Sequence, residues 1–163
     1  MMDANCLHGG KIVRIIALTS TQTQLPALFK EVFQHLQAAK IVDRDLTAPL
    51  LEHEDALPTG VVTKPLGKRI PNLALPHLAD PAVKEPVLVI IEPSQPLFLA
   101  NMLAPSKQVG VKLILLLLDS SPARQAETVS HLLTWLSKTP GPQLRAVLQK
   151  PDATETAELA KQL

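Results

Sequence analysis

The sequence is poor in the groups on which several common functions depend. It has one cysteine, Cys6, so neither an internal disulfide nor a thiolate zinc cage can form. Tyrosine is absent, and the aromatic set is Phe29, Phe33, Phe98 and Trp135, too few for a platform that stacks nucleobases. The net charge is +1, and no face-sized Lys/Arg cluster supplies a nucleic-acid footprint. The longest apolar run, Leu113 to Leu118, falls far short of the roughly 20 residues that cross a bilayer as a helix. Lys11 and Arg14 interrupt the early apolar segment, so no signal peptide is expected and a cytoplasmic location is. No GxGxxG, P-loop or GxSxG pattern occurs, and no pair of histidines has metal-ligand spacing with a third partner.

Enough apolar residues remain for a core: 46% of the 163 residues are hydrophobic and 19% charged, which suits one soluble globular domain. The polar lead MMDANCLHGG, residues 1–10, is expected to be disordered, with the domain running from 11 to 163. Proline is abundant, and 15 of them mark many short element boundaries.

KIVRIIALT, residues 11–19, reads as the first strand. Leu25, Leu28, Phe29, Val32, Phe33 and Leu36 recur at helical spacing, with Thr23 as the expected cap and Pro26 in the first turn. A second helix is expected from about Asp45 to Leu57, with Leu46, Leu50 and Leu51 inward. Pro58-Thr59-Gly60 ends it and a strand begins at VVT, residues 61–63. After a loop comes LALP, a short strand leading into His77, and then PVLVIIE, a continuous apolar strand. Residues 93–108 have no assignable pattern. Residues 109–118, VGVKLILLLL, read as one strand apolar on both faces. A helix follows from about Pro122 to Leu136 with Val129, Leu132, Leu133 and Leu136 as its stripe, then short helices near Gln143 to Gln149 and Asp152 to Gln162. The expected fold is a single-domain α/β layered fold with a largely buried mixed sheet flanked by amphipathic helices.

His77 draws attention first. Pro76 fixes its own backbone and biases Leu75 toward extended geometry, so His77 is expected at the C-terminal edge of a strand, where ligand sites gather in α/β proteins. Two readings stand: a partly exposed loop histidine, or a nucleophile whose second ring nitrogen is held by a hydrogen bond. His53, at the end of the second helix, is either a solvated helix end or a cation favoured by the helix dipole. Thr59 and Gly60 either supply a hydroxyl and a backbone N–H to an oxyanion or merely form a turn. His131 lies off its helix stripe, His35 on a polar face and His8 in the lead; no chemistry is expected of them.

Leu50-Leu51-Glu52-His53-Glu54, then Pro58-Thr59-Gly60, then Ala74-Leu75-Pro76-His77 form an ordered set. The order resembles the fructose/mannitol-type (type 2) enzyme IIA domain of the bacterial sugar phosphotransferase system, most closely its galactitol-specific branch. The resemblance covers roughly residues 11 to 150. It implies a phosphoryl acceptor at His77, loaded by the histidine phosphocarrier protein and emptied onto a cysteine of a cognate enzyme IIB. No organic cofactor, metal or nucleic acid is implied, and the membrane is met only through the permease complex. The family's phosphate-holding arginine falls at His53, for which Lys64, Lys68 or Arg69 could substitute. The small residue usual after the acceptor falls at Leu78, and the second histidine of many members falls at about Gln125, whose amide can still donate to phosphate. Thr59, Gly60, His53 and Gln125 are thus the phosphate-stabilising candidates around His77. Two rivals remain, a free-standing regulatory module of the same fold and a domain that has lost phosphorylation.

Overall fold

The computed structural model describes residues 13–67, 69–149, 159, 160, 162 and 163. The expected lead over 1–10, Lys68 and most of the helix expected from Asp152 to Gln162 lie outside them. The chain runs through β1 (Arg14–Ser20), α1 (Leu25–Ala38), α2 (Thr47–Ala56), β2 (Gly60–Val61), a 3₁₀ turn (Lys64–Leu66), β3 (Leu73–Ala74) and β4 (His77–Ala79). It continues through β5 (Val87–Pro93), β6 (Leu97–Ala100), β7 (Gln108–Val111), β8 (Leu113–Asp119), α3 (Pro122–Lys138) and α4 (Gly141–Gln149).

The main sheet has the order β1-β5-β8-β3-β2, with β4 also paired to β8. It is mixed: β1 lies parallel to β5, β5 antiparallel to β8, β8 parallel to β3 and β4, and β3 antiparallel to β2. All seven residues of β8 are buried, because helices cover both faces of the sheet. Val89, Ile91, Ile114, Leu116 and Leu118 join Leu28, Phe29, Val32, Phe33 and Leu36 of α1 and Leu50 of α2 in one apolar cluster. The alternate residues Leu88, Ile90, Leu113, Leu115 and Leu117 join Leu132, Trp135 and Leu136 of α3 and Leu144 and Leu148 of α4 in the other. This is the period-2 alternation of a strand sandwiched between two helical layers. Each fully buried Leu or Phe contributes about 1.5–3 kcal/mol, so the two clusters fix which face each helix covers.

The first helix forms as its spacing predicts, but its N-cap is Gln24, without a side-chain bond, and not Thr23. It ends in a Schellman turn: Lys40 adopts a left-handed backbone (φ 60°), with its N–H on Gln37 O at 3.0 Å and that of Ile41 on Leu36 O at 2.9 Å. Leu46 and Leu50 are fully buried as expected of α2, whereas Leu51 is half-buried.

Three expectations need correction. The run 109–118 is two strands, parted at Lys112: β7 pairs antiparallel with β6 in a separate hairpin, and β8 enters the main sheet. Lys112 turns its N–H to Asn72 O at 3.1 Å, and the unassigned residues before it supply β6. The inner face of α3 carries Gln125, Thr128, Leu132, Trp135 and Leu136, while Leu133 is 41% exposed. Polar Gln125 and Thr128 occupy inward positions because their side chains donate to Leu117 O and Arg124 O, so apolarity alone set the stripe wrongly. The strand expected over 61–63 is instead Gly60–Val61, and the Thr63 N–H donates to the Asn72 side-chain Oδ1 rather than to a strand neighbour. Among the described residues no helix is long and apolar enough to cross a membrane.

Candidate functional site

His77 does not leave the sheet. It opens β4, paired with Leu117 of β8, and Leu78 and Ala79 follow opposite Leu118 and Asp119. Leu73 and Ala74 of β3 pair with Leu113 and Ile114 at the same offset. Leu75 and Pro76 therefore interrupt one strand line without inserting a residue, and the expected strand end before His77 is corrected to a gap in the pairing. The gap follows from Pro76, which has no N–H to give the ladder but still accepts Leu117 N–H at 3.0 Å.

Main-chain groups alternate sides along a strand. Pro76 O faces β8, so the main chain of Leu75 faces the other edge. There its N–H donates to Thr59 Oγ1 at 3.1 Å and lies 3.3 Å from Thr59 O. Its carbonyl lies 2.8 Å from His77 Nδ1. A carbonyl only accepts, so Nδ1 carries the proton, and in the neutral ring the lone pair sits on Nε2.

The turn before β2 is anchored from the end of α2. Glu54 is 6% exposed, and its two carboxylate oxygens accept Thr59 N–H at 2.8 Å and Thr59 Oγ1–H at 2.7 Å. Burial pushes the Glu54 carboxyl above its ordinary range, against the pull of the Thr59 bonds. Thr59 is 2% exposed. Its hydroxyl, expected beside a phosphate, faces inward and is engaged on both sides; it reaches His77 through the Leu75 main chain. Gly60 is also buried. A Cβ there would lie 2.6 Å from Ala100 O, and Gly60 O accepts Met102 N–H at 2.8 Å. The glycine therefore admits the end of the β6–β7 hairpin against the turn.

His53 is brought to His77, ring centroids 4.8 Å apart and planes at 68°. Burial, and secondarily the neighbouring His77, hold His53 below its ordinary value. Gln125 is 7% exposed and donates from Nε2 to Leu117 O at 3.2 Å, on the residue paired with His77. Lys64 and Arg69 line a cavity of about 340 Å³ with Thr63, Gly67, Ile70 and Asn72. At the start of α3, Asp119 holds Arg124 and the N–H groups of Ser120 and Ser121. Burial acts to raise the Asp119 carboxyl, but these bonds outweigh it and hold the group below its usual range. Among the described residues no group of three or more His, Cys, Asp or Glu could hold a metal ion.

Sequence reasoning named Glu54 as part of the helix-end motif without its role in holding Thr59, and it missed the Leu75 carbonyl. A glutamate five residues before a Thr-Gly turn is a weak signal, and a main-chain acceptor leaves none.

Residues 13–157 match the family model for the phosphoenolpyruvate-dependent sugar phosphotransferase system, EIIA 2. Among solved structures, the nitrogen regulatory protein IIA-Ntr from Neisseria meningitidis is similar over 89% of this chain and 92% of its own, with 22% identity and a TM-score of 0.59. A putative PTS IIA domain from Streptococcus pyogenes M1 GAS is similar over 90% and 87%, with 15% identity and a TM-score of 0.57. Enzyme IIA-Mtl of Escherichia coli, solved in complex with phosphorylated enzyme IIB-Mtl, is similar over 91% and 94%, with 12% identity and a TM-score of 0.59. At these identities the structural likeness is one of fold. No curated protein matches the chain significantly.

Proposed function

The chain belongs to the phosphoenolpyruvate-dependent sugar phosphotransferase system EIIA 2 family, and on that premise we propose that it carries a phosphoryl group on Nε2 of His77. The observation that carries this reading is the contact between His77 Nδ1 and Leu75 O at 2.8 Å, which reserves Nε2 as the nucleophile. The Nε2 lone pair forms the N–P bond as the donor's P–N bond breaks, and those electrons return to the donor ring. Nδ1 keeps its proton throughout. In the second half-reaction a cysteine thiolate of the acceptor forms an S–P bond and the lone pair returns to Nε2. Such transfer depends mainly on in-line positioning and charge stabilisation. His53 and Gln125 are the side chains we assign to the phosphate's surroundings, with Thr59 and Gly60 shaping the turn beside it.

The donor in this reading is the histidine phosphocarrier protein and the acceptor an enzyme IIB of a galactitol- or pentitol-like system. The IIB assignment is supported by the similar fold of IIA-Mtl in complex with phosphorylated IIB-Mtl. Docking has apolar material to use. Leu57 (60% exposed) and Val62 (41%) flank the Thr59–Gly60 turn in sequence, and Met102, whose N–H is bonded to Gly60 O, and Leu103 (92%) lie in the loop that joins β6 to β7. Apolar side chains at such exposure suit partners that bind in turn. The likeness to the nitrogen regulatory protein IIA-Ntr favours a second reading, in which the same phosphorylation is reported to a regulator.

The test is to incubate the protein with phosphoenolpyruvate, enzyme I and the histidine phosphocarrier protein and read its intact mass at neutral-to-basic pH. One phosphate on wild type, none on His77→Ala, and an Nε2 linkage by NMR are expected. No phosphate on wild type, with the donor phosphorylated, or an Nδ1 linkage overturns the reading. Onward transfer to an enzyme IIB separates the carrier from the regulator.

A further inference from the structure

A buried carboxylate is costly unless its hydrogen bonds are arranged for it, and Glu54 is 6% exposed with no Lys or Arg paired to it among the described residues. What it does hold is Thr59, by both the N–H and the hydroxyl. A hydroxyl has one proton. With that proton committed to Glu54, Thr59 Oγ1 can only accept from Leu75 N–H, which it does at 3.1 Å. Leu75 is thereby pinned at its N–H while its carbonyl receives His77 Nδ1 at 2.8 Å. With Glu54 ionised every bond in this series has one permitted direction, and the series runs from α2 through the turn to the imidazole.

We propose that Glu54 and Thr59 are positioning residues for phosphoryl transfer, which act through the Leu75 main chain to keep the His77 proton on Nδ1 and the Nε2 lone pair aimed outward. The proposal rests on the reading of His77 as the phosphoryl acceptor. Neither residue touches the phosphate in this scheme. Without the Leu75 carbonyl in place, the ring proton is free to occupy Nε2, where it blocks attack. Pro76 strengthens the arrangement: its fixed φ limits how far the Leu75 carbonyl and the His77 ring can move apart.

The experiment uses the full chain with phosphoramidate, a small donor that needs no protein docking. Wild type, Glu54→Gln, Thr59→Val and Thr59→Ser are compared for phosphohistidine formation rate, for the His77 tautomer by ¹⁵N NMR, and for melting temperature. Wild type is expected to hold the proton on Nδ1. Glu54→Gln and Thr59→Val are expected to populate the Nε2–H tautomer and to be phosphorylated roughly tenfold more slowly, whereas Thr59→Ser restores both readouts. A fall in melting temperature with tautomer and rate unchanged overturns the proposal and leaves the two residues as turn anchors only. Should Thr59→Val fail to fold, Glu54→Gln, which keeps the side-chain shape, decides the same question. If wild type itself takes no phosphate on His77, the phosphocarrier reading fails, while the tautomer comparison still tests this inference separately.

Discussion

His53 and His77 meet edge to face, their ring centroids 4.8 Å apart, so the charge state of one is felt by the other. Burial and then His77 keep His53 below its ordinary value of 6.5, and it is neutral at pH 7. A phosphoryl group on His77 Nε2 would stand one bond beyond a ring already in contact with His53, and its negative charge favours the imidazolium. Phosphorylation is therefore expected to take up a proton at His53, and the phosphorylated fraction at fixed donor ratio to rise as pH falls from 8 to 6. NMR titration of His53 in both forms checks this, with a higher value expected in the phosphorylated form. His53→Arg should flatten the pH dependence; equal titration in both forms would sink the idea. In the unphosphorylated protein the folded-state value lies below the unfolded one. Stability from this residue is accordingly present above the unfolded value and lost as pH falls through the folded one.

Leu103 is 92% exposed beyond the end of β6. If that end forms part of the docking face, Leu103→Asp should slow phosphorylation by the histidine phosphocarrier protein about tenfold, yet leave phosphoramidate labelling and melting temperature unchanged. Equal loss with both donors would place the effect in the acceptor site instead.

Gly60→Ala inserts a methyl 2.6 Å from Ala100 O, a main-chain atom that cannot turn aside. Either the hairpin or the Thr59 turn must shift, at an expected cost of about 1–3 kcal/mol. Chemical denaturation measures that cost. Because Gly60 adjoins Thr59, the phosphoramidate reaction should also slow.

Lys40 occupies the left-handed position of the Schellman turn after α1 (φ 60°), a conformation costing a non-glycine residue about 1 kcal/mol. Lys40→Gly is expected to raise the melting temperature by a few degrees with phosphorylation untouched. An unchanged or lower melting temperature would mean that backbone entropy lost to glycine offsets the relief.

The sequence made some of this legible and left some hidden, for identifiable reasons. The stripe from Leu28 to Leu36 and the run from Leu113 to Leu118 announced α1 and β8 because their burial is continuous and their periods clean. The Pro76-His77 step stood out because proline has one backbone habit. The β6–β7 hairpin stayed hidden: Phe98, 66% exposed, breaks the polarity its alternation requires, and Lys112 alone marks where the chain changes sheets. The inner face of α3 was misread at Leu133, since Gln125 and Thr128 buy their burial with hydrogen bonds that no pattern of apolar letters records. At the site, His53 and His77 could be named singly, but their ring contact depends on how α2 meets β4. The inward turn of Thr59 depends on Glu54, whose partner is visible only once the turn has closed.

The bond to His77 comes from a main-chain carbonyl, and this divides the evolutionary demands on position 75. The Leu75 side chain is 3% exposed and packs in the cluster beneath α3 and α4, so selection there acts on volume and apolarity. Its carbonyl, which serves the histidine, is common to every amino acid. Ile, Met or Val could replace Leu75 through neutral drift without erasing the acceptor. The orientation of His77 is thus shielded from point mutation at the residue that makes the contact and exposed to mutation at Glu54 and Thr59, which make none with the ring.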